Sequence, residues 1–267
     1  MTAEKLAHLN RLLTEMGSVA VAFSGGTDSA FLLAAANSLP GVKVLAITLK
    51  TAVVPEREIA GAAAFCKERG IRQLIPEPDL LSIEAFRNNP PERCYFCKRA
   101  LFSACKTAAA ENGAAYLIEG SNADDSRDYR PGMRALSELG IRSPLLEAGL
   151  TKAEIRALSK DMGLPTWNQP ASACLASRIP YGTEITAEKL RMIDAAEQFL
   201  HELGFLQVRV RMHGSVARIE LPPEQFGSLL AERIRIEAEL RMIGFSYICL
   251  DLQGYRTGSL NEPILHT

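Results

Sequence analysis

The stretch Ser18-Val19-Ala20-Val21-Ala22-Phe23-Ser24-Gly25-Gly26-Thr27-Asp28-Ser29 decides the fold. Ser18 to Phe23 reads as a short apolar strand, as a sheet buried on both faces requires. Two adjacent glycines then let the backbone turn tightly and approach a ligand closely. A helix follows from about Ser29 to Ser38 and is stopped by Pro40-Gly41. The hydroxyls of Ser24, Thr27 and Ser29, the loop amides and the helix N-terminus are expected to face one anion, which makes the turn a phosphate cradle. It has neither the lysine of a Walker A loop nor the three spaced glycines of a dinucleotide fold.

Outward from this turn the first two thirds of the chain alternate strand and helix. Ala3 to Met16 is an amphipathic helix, with Leu6, Leu9, Leu12, Leu13 and Met16 at helical spacing. Strands are expected at Val42 to Thr48, Ile71 to Ile75 and Ala115 to Glu119, and helices at Pro55 to Arg69 and Lys98 to Asn112. That rhythm predicts an α/β fold with a parallel sheet covered by helices, its ligands at the C-terminal strand ends. Between Ser121 and Ile185 turns dominate, around one helix from about Thr151 to Met162 with a capping pattern. From Thr186 a smaller α-β-β-α-β unit is expected: a helix to Leu203, strands Phe205 to Met212 and Val216 to Leu221, one long helix Pro222 to Ile243, and a strand Phe245 to Leu252. The predicted domains are residues 1–185 and 186–267.

The chain has 267 residues, 47% of them hydrophobic and 23% charged, enough to bury a sizeable core. Thirty Lys+Arg against thirty-one Asp+Glu leave a net charge of -1, without the basic excess of a nucleic-acid binder. The N-terminal residues are polar, and no apolar run approaches the roughly 20 residues of a bilayer span. The expectation is a cytoplasmic protein with neither a membrane nor a nucleic-acid partner. In that reducing setting six cysteines point to thiol or metal chemistry rather than to disulfides.

The PP-loop of ATP pyrophosphatases, Ser-Gly-Gly-x-Asp-Ser, resembles residues 24–29. The resemblance implies that Ser24, Gly25, Gly26, Thr27, Asp28 and Ser29 hold the pyrophosphate of ATP, with Asp28 also near Mg2+. ATP would be cleaved between its α and β phosphates, so that a substrate oxygen is adenylated. A second segment, Glu119-Gly120-Ser121-Asn122-Ala123-Asp124-Asp125, follows the fourth strand and would lie at the same sheet edge. It reads either as an Asx-rich turn or as nucleotide and metal positioning. Its similarity to the Gly-Ser/Thr-Asn-x-x-Asp segment of PP-loop enzymes favours the latter for Gly120, Asn122, Asp124 and Asp125.

Cys94-x-x-Cys97 alone is compatible with zinc, redox or cluster chemistry. No second pair exists to complete a structural zinc site. Cys174 stands alone, and two clustered thiolates with one distant thiolate suit a [4Fe-4S] cluster having one iron free of protein. Arg93, Lys98 and Arg178 would lower thiolate pKa values. Cys66, Cys105 and Cys249 read as small buried hydrophobes.

The residues from Pro170 to Gly182, with Cys174-Leu175-Ala176-Ser177-Arg178 at their centre, resemble the signature of LarE-type ATP-dependent sulfur transferases. So do Asn122-x-Asp124-Asp125, Arg130-Pro131-Gly132 and Val208-Arg209-x-Arg211, and the likeness runs to Gly254-Tyr255-Arg256. The resemblance implies adenylation of a carboxylate of pyridinium-3,5-biscarboxylic acid mononucleotide and its conversion to a thiocarboxylate, in the synthesis of the nickel-pincer nucleotide. It makes Cys174 the attacking cysteine. In single-cysteine members that sulfur is surrendered, whereas Cys94 and Cys97 resemble the three-cysteine branch, in which a cluster carries sulfur from sulfide or another donor. Ser177 and Arg178 would face substrate phosphate or carboxylate; Arg209 and Arg211, on one strand face, suit an anionic nucleotide or a solvated edge strand equally. Glu197 and Glu220 would join a carboxylate metal site, although each fits an exposed face equally well. Trp167 fits ring stacking or packing. A homo-oligomer, hexameric by resemblance, is implied, with a C-terminal unit like half of the purine-biosynthesis mutase fold. A PP-loop tRNA thiolase with a [4Fe-4S] cluster is the alternative, disfavoured by the neutral charge. A sulfur carrier regulated by ATP and an amidating synthetase are further readings, and the latter leaves the cysteines without work.

Overall fold

The computed structural model describes residues 2–127, 131–169, 174–256 and 258–261. Its elements in chain order begin with α1 (Thr2–Met16), β1 (Ser18–Ala22), α2 (Thr27–Ser38), β2 (Lys43–Ile47), α3 (Glu56–Glu68) and β3 (Gln73–Leu74). Then come the single turn α4 (Glu84–Arg87), α5 (Arg93–Glu111), β4 (Tyr116–Ile118), α6 (Pro131–Glu138), α7 (Pro144–Glu147) and α8 (Lys152–Asp161). The remainder is α9 (Ala187–Glu202), β5 (Arg209–His213), β6 (Val216–Glu220), α10 (Phe226–Ala231), α11 (Arg233–Ile243) and β7 (Tyr247–Leu250). Two compact units divide the chain: Met1–Leu80 with Glu92–Ser172, and Leu81–Pro91 with Ala173–Thr267. The sequence reading put a single boundary after residue 185; here the second unit starts earlier and takes in a segment from the first half.

The first unit is α/β, with a parallel sheet in the order β3-β2-β1-β4. The period-two alternation of β1 serves both faces. Val19 and Val21 enter a core with Leu9 and Leu13 of α1, Phe31 of α2, Phe65 of α3 and Ile155 of α8. Ala20 enters the opposite core with Leu45, Leu117, Cys105, Ala109 and Leu136. Because α2 is packed nearly all round, it reads as apolar from Ala30 to Ala36. α8 opens on a capping box, in which the Thr151 hydroxyl accepts from the Glu154 amide and the Glu154 carboxylate accepts from the Thr151 amide. Lys5, then Thr151 and Thr2, hold the Glu154 carboxyl down at about 2.

In the second unit β5 and β6 form an antiparallel pair, and β7 runs parallel beside β6. Three expectations change here. The expected helix from Pro222 to Ile243 is broken: Pro223–Gln225 is a 3-10 turn, and Glu232 interrupts α10 from α11 at φ -89, ψ 7. Cys249, expected to be buried, is exposed, because β7 is an edge strand with alternate residues facing out. Glu197 and Glu220, which fit a metal site or an exposed face by sequence, are completely buried. Among the described residues no helix is long and apolar enough to cross a membrane.

Candidate functional site

β1 ends at Ala22, and the phosphate turn follows at the C-terminal edge of the sheet. Gly25 has φ +80, a left-handed conformation that glycine adopts without a Cβ penalty. Gly26 caps α2 with backbone only, having no side chain of its own to take up the free N–H groups of the first turn. Those donors and the positive helix end are therefore available to an anion. The Ser24 and Ser29 hydroxyls lie 3.1 Å apart, and Ser29 also donates to the Gly26 carbonyl at 3.1 Å. Thr27 departs from the expectation: its hydroxyl turns away and donates to the Thr166 carbonyl at 2.7 Å, so only its amide can serve the cradle.

β4 is the parallel neighbour of β1, so its following loop reaches the same edge. A Cβ on Gly120 would stand 3.0 Å from the Ser29 nitrogen and 3.2 Å from its Cα. Close approach of this loop to the phosphate turn is what requires glycine. Gly120→Ala is expected to cost about 1–3 kcal/mol of stability by overpacking and to weaken any stabilisation that added ATP gives. Thermal unfolding with and without ATP measures both. Asn122 accepts from the Asp124 amide at 2.9 Å, and Asp125 accepts from the Asn122 amide at 3.0 Å. Asp124 also accepts the Lys152 backbone N–H at the head of α8.

Asp28 joins these segments. Lys152 Nζ donates to Asp28 Oδ2 at 2.7 Å, while Asp28 Oδ1 is buried with no hydrogen-bond partner among the described residues. Burial pushes the Asp28 carboxyl up, Lys152 and Asn122 pull it down, and Asp125 pushes it up again. An idle carboxylate oxygen beside a phosphate cradle fits a divalent cation that takes its remaining ligands from phosphate and water. Lys152 was read from sequence only as part of a helix cap, and nothing local signals its ion pair across 124 residues. Among the described residues no group of three or more His, Cys, Asp or Glu is arranged to hold a metal ion.

Cys94 and Cys97 lie at the start of α5, which begins at Arg93 rather than at the expected Lys98. The helix runs back to feed β4, so its N-terminus lies at the same edge as the phosphate turn. Three residues apart, the two cysteines share one helix face, Cys94 exposed and Cys97 partly so. Burial pushes Cys66 up to about 11 and Cys105 up to about 12, which makes both inert. This end of α5 rests on α6: Tyr95 donates to Glu138 at 2.8 Å, and the Lys98 stem fills the space above Gly132. Trp167 is partly exposed, with Lys160 5.1 Å from its ring centroid.

In the second unit Cys174 is exposed and heads the 3-10 turn Leu175–Arg178. Residues 170–173 of the same signature, like Arg130, lie outside the described residues. Arg178 is spent inside the protein. Its Nε and Nη2 form a two-pronged pair with Glu197 at 2.8 and 2.9 Å, and Nη1 donates to the Cys174 carbonyl at 3.1 Å and to Ser177 Oγ at 2.9 Å. It orients the turn, and its paired prongs are closed to substrate, contrary to the expectation. Arg211 donates to the Ser177 carbonyl at 2.6 Å and to Glu220 at 2.9 Å, and its buried Nε finds no acceptor among the described residues. Arg209 lies 5.5 Å from the Tyr255 ring centroid. Burial, then the neighbouring Arg178, push the Arg209 pKa down, as expected of a desolvated cation that an anion would stabilise. Glu220 is shared by Arg211, Arg218 and Ser259. Both glutamates are thus counter-ions of arginines, and the expected carboxylate metal site does not form from them. Ser177, Arg178, Arg209 and Arg211 are brought together, with Cys174 at the rim.

A parallel sheet, a glycine turn into an uncapped helix and an aspartate facing that turn define an α/β protein of the PP-loop class. No family model matches the chain. It is 40% identical over 266 residues to an uncharacterised protein of Synechocystis, with 99% of each chain covered. It is 39% identical over 263 residues to the pyridinium-3,5-bisthiocarboxylic acid mononucleotide synthase of Lactiplantibacillus plantarum, covering 98% of this chain and 95% of that one. One of the subunits of the glutamine-hydrolysing GMP synthase of Thermoplasma acidophilum is 24% identical over 266 residues, covering 92% and 82%. The chain belongs to the family of the pyridinium-3,5-bisthiocarboxylic acid mononucleotide synthase.

Proposed function

We propose that the chain is an ATP-dependent sulfur transferase that converts a carboxylate of pyridinium-3,5-biscarboxylic acid mononucleotide to a thiocarboxylate, in nickel-pincer nucleotide synthesis. The observation that carries this reading is the near full-length relationship to a synthase of that bisthiocarboxylate. The phosphate turn, with the idle oxygen of Asp28, supports ATP as co-substrate. A substrate carboxylate oxygen attacks the α-phosphorus and pyrophosphate leaves, held by Ser24, Gly25, Gly26 and Ser29 and by the α2 amides. Asp28 would hold Mg2+, which offsets phosphate charge. A sulfur nucleophile then attacks the activated carbonyl, AMP leaves, and the thiocarboxylate remains. The buried arginines Arg209 and Arg211 suit the phosphate of the mononucleotide.

Cys94, Cys97 and Cys174 would be the ligands of a [4Fe-4S] cluster, whose open iron supplies transferable sulfide when bound. Thiol ligands that are exposed or nearly so, two of them on one helix face, fit that group. Chain purified without oxygen is expected to contain iron and labile sulfide and to absorb in the visible, and Cys94→Ala to lose both. With ATP, sulfide and the biscarboxylate mononucleotide it is expected to release pyrophosphate and AMP, to form thiocarboxylate over many turnovers, and to keep its intact mass. Dehydroalanine at position 174 after one turnover would replace the cluster route with surrender of the cysteine sulfur. Absence of any thiocarboxylate would reject the function.

A further inference from the structure

Asn89 has the only positive φ of any non-glycine among the described residues, 54°, and it is completely buried. Asparagine tolerates this left-handed backbone better than most side chains. Its Nδ2 faces three carbonyls, those of Pro180 at 2.8 Å, Thr183 at 3.0 Å and Ile179 at 3.3 Å. Carbonyl oxygens only accept, so the atom that meets them must be the amide nitrogen. The Asn89 carbonyl in turn accepts the Gly182 N–H at 2.9 Å.

These bonds have one target. Residues 180–183 form a tight turn, closed by the Thr183 amide on the Pro180 carbonyl at 3.1 Å, with Gly182 at φ +75. Two residues before Asn89, the Arg87 carbonyl accepts the Ile185 amide at 2.9 Å, and the Arg87 side chain pairs with Glu184 at 3.2 Å. The segment Leu81–Pro91 therefore zips onto residues 179–185 and belongs to the second unit for that reason. Residue 179 directly follows the Cys174–Arg178 turn. Arg178 and Arg211 hold that turn through the Cys174 and Ser177 carbonyls, and Asn89 holds its exit.

We propose that Asn89 is a positioning residue for Cys174: its carboxamide fixes the exit of the Cys174–Arg178 turn and so the direction in which the thiol is presented. This rests on the sulfur-transfer reading of Cys174. Asn89→Gly keeps the left-handed backbone and removes the two N–H donors that Nδ2 shares among the three carbonyls. Asn89→Asp keeps the shape but sets a carboxylate, which cannot donate, against three carbonyls. The first readout is hydrogen exchange of the full chain. In Asn89→Gly the amides of Ser177, Gly182 and Ile185 are expected to exchange faster, while those of β5 and β6 keep their wild-type rates. The second is steady-state kinetics with ATP, sulfide and the biscarboxylate mononucleotide. Displacing a reacting group by a fraction of an ångström is expected to lower kcat about tenfold, with KM for ATP unchanged.

Unchanged exchange at Ser177 overturns the proposal. So does faster exchange spread evenly over the second unit, which marks a general loss of stability. A wild-type kcat in Asn89→Gly overturns it as well. Should Asn89→Asp fail to fold, Asn89→Gly decides alone. Should the wild-type chain make no thiocarboxylate, the functional reading fails, and the exchange pattern still decides whether Asn89 holds the Cys174 turn.

Discussion

Glu197→Ala is expected to lower the unfolding free energy by about 3–5 kcal/mol, the cost of stranding a buried charge. Arg178 and Glu197 are 1% and 0% exposed, so neither can turn to water when its partner is gone. The deleted carboxylate also accepts the Val210 amide at 2.9 Å, which would leave the start of β5 one acceptor short. Urea unfolding followed by circular dichroism measures the loss. The same pair sets an acid limit. Burial alone would raise the Glu197 pKa, but the charge and hydrogen bonds of Arg178, with Arg209 and the Val210 amide, outweigh it and hold it below the ordinary 4.5. A carboxyl depressed in the folded state contributes stability above its unfolded pKa and loses it as pH falls through the folded value. Stability at neutral pH is thus insensitive to this group, and the loss begins below about 4.5. In Glu197→Ala this component of the acid limb is expected to vanish.

The second large effect is chemical rather than structural. Asp28→Asn is expected to reduce pyrophosphate release roughly a hundredfold or more, because it removes the carboxylate facing the phosphate turn. Stability should change little, by about 1 kcal/mol at most, since Lys152 is about one-third exposed and stays solvated without its partner. The contrast with Glu197 separates a carboxylate held for ligand chemistry from one that holds the fold. Pyrophosphate release and thermal melting, measured on one preparation, report the two quantities.

What could be read in the sequence was local. The apolar run from Ser18 and the paired glycines specify strand, turn and helix within twelve residues, and β1 and α2 fall where that reading put them, α2 starting two residues early because Thr27 and Asp28 join its first turn. The loop after β4 was legible because a parallel neighbour must end at the same edge. What escaped was set by distant partners. Glu197 looks like a solvated position because its arginine lies 19 residues away, beyond any helical period, and Glu220 looks like one because its buried partner Arg211 lies on the neighbouring strand, nine residues away. Lys152 finds Asp28 only once α8 packs beside α2. Asn89 carries no local signal at all, since its role depends on carbonyls 90 to 94 residues later. The long helix expected after Pro222 failed for a different reason: its apolar period continues through Glu232 although the backbone does not.

The Arg178–Glu197 pair also constrains how such a chain can diverge. A change at either position alone leaves one bare charge in a dry interior, so a lineage stepping through single substitutions meets a barely folded intermediate. Exchanging both for a matched apolar pair would preserve the packing of α9 against β5, yet it would release the carbonyl of Cys174 that Arg178 grips. The fold could outlive that exchange while the reactive turn loses its anchor. Two residues sealed from solvent are therefore tied to the Cys174 turn as firmly as they are tied to each other.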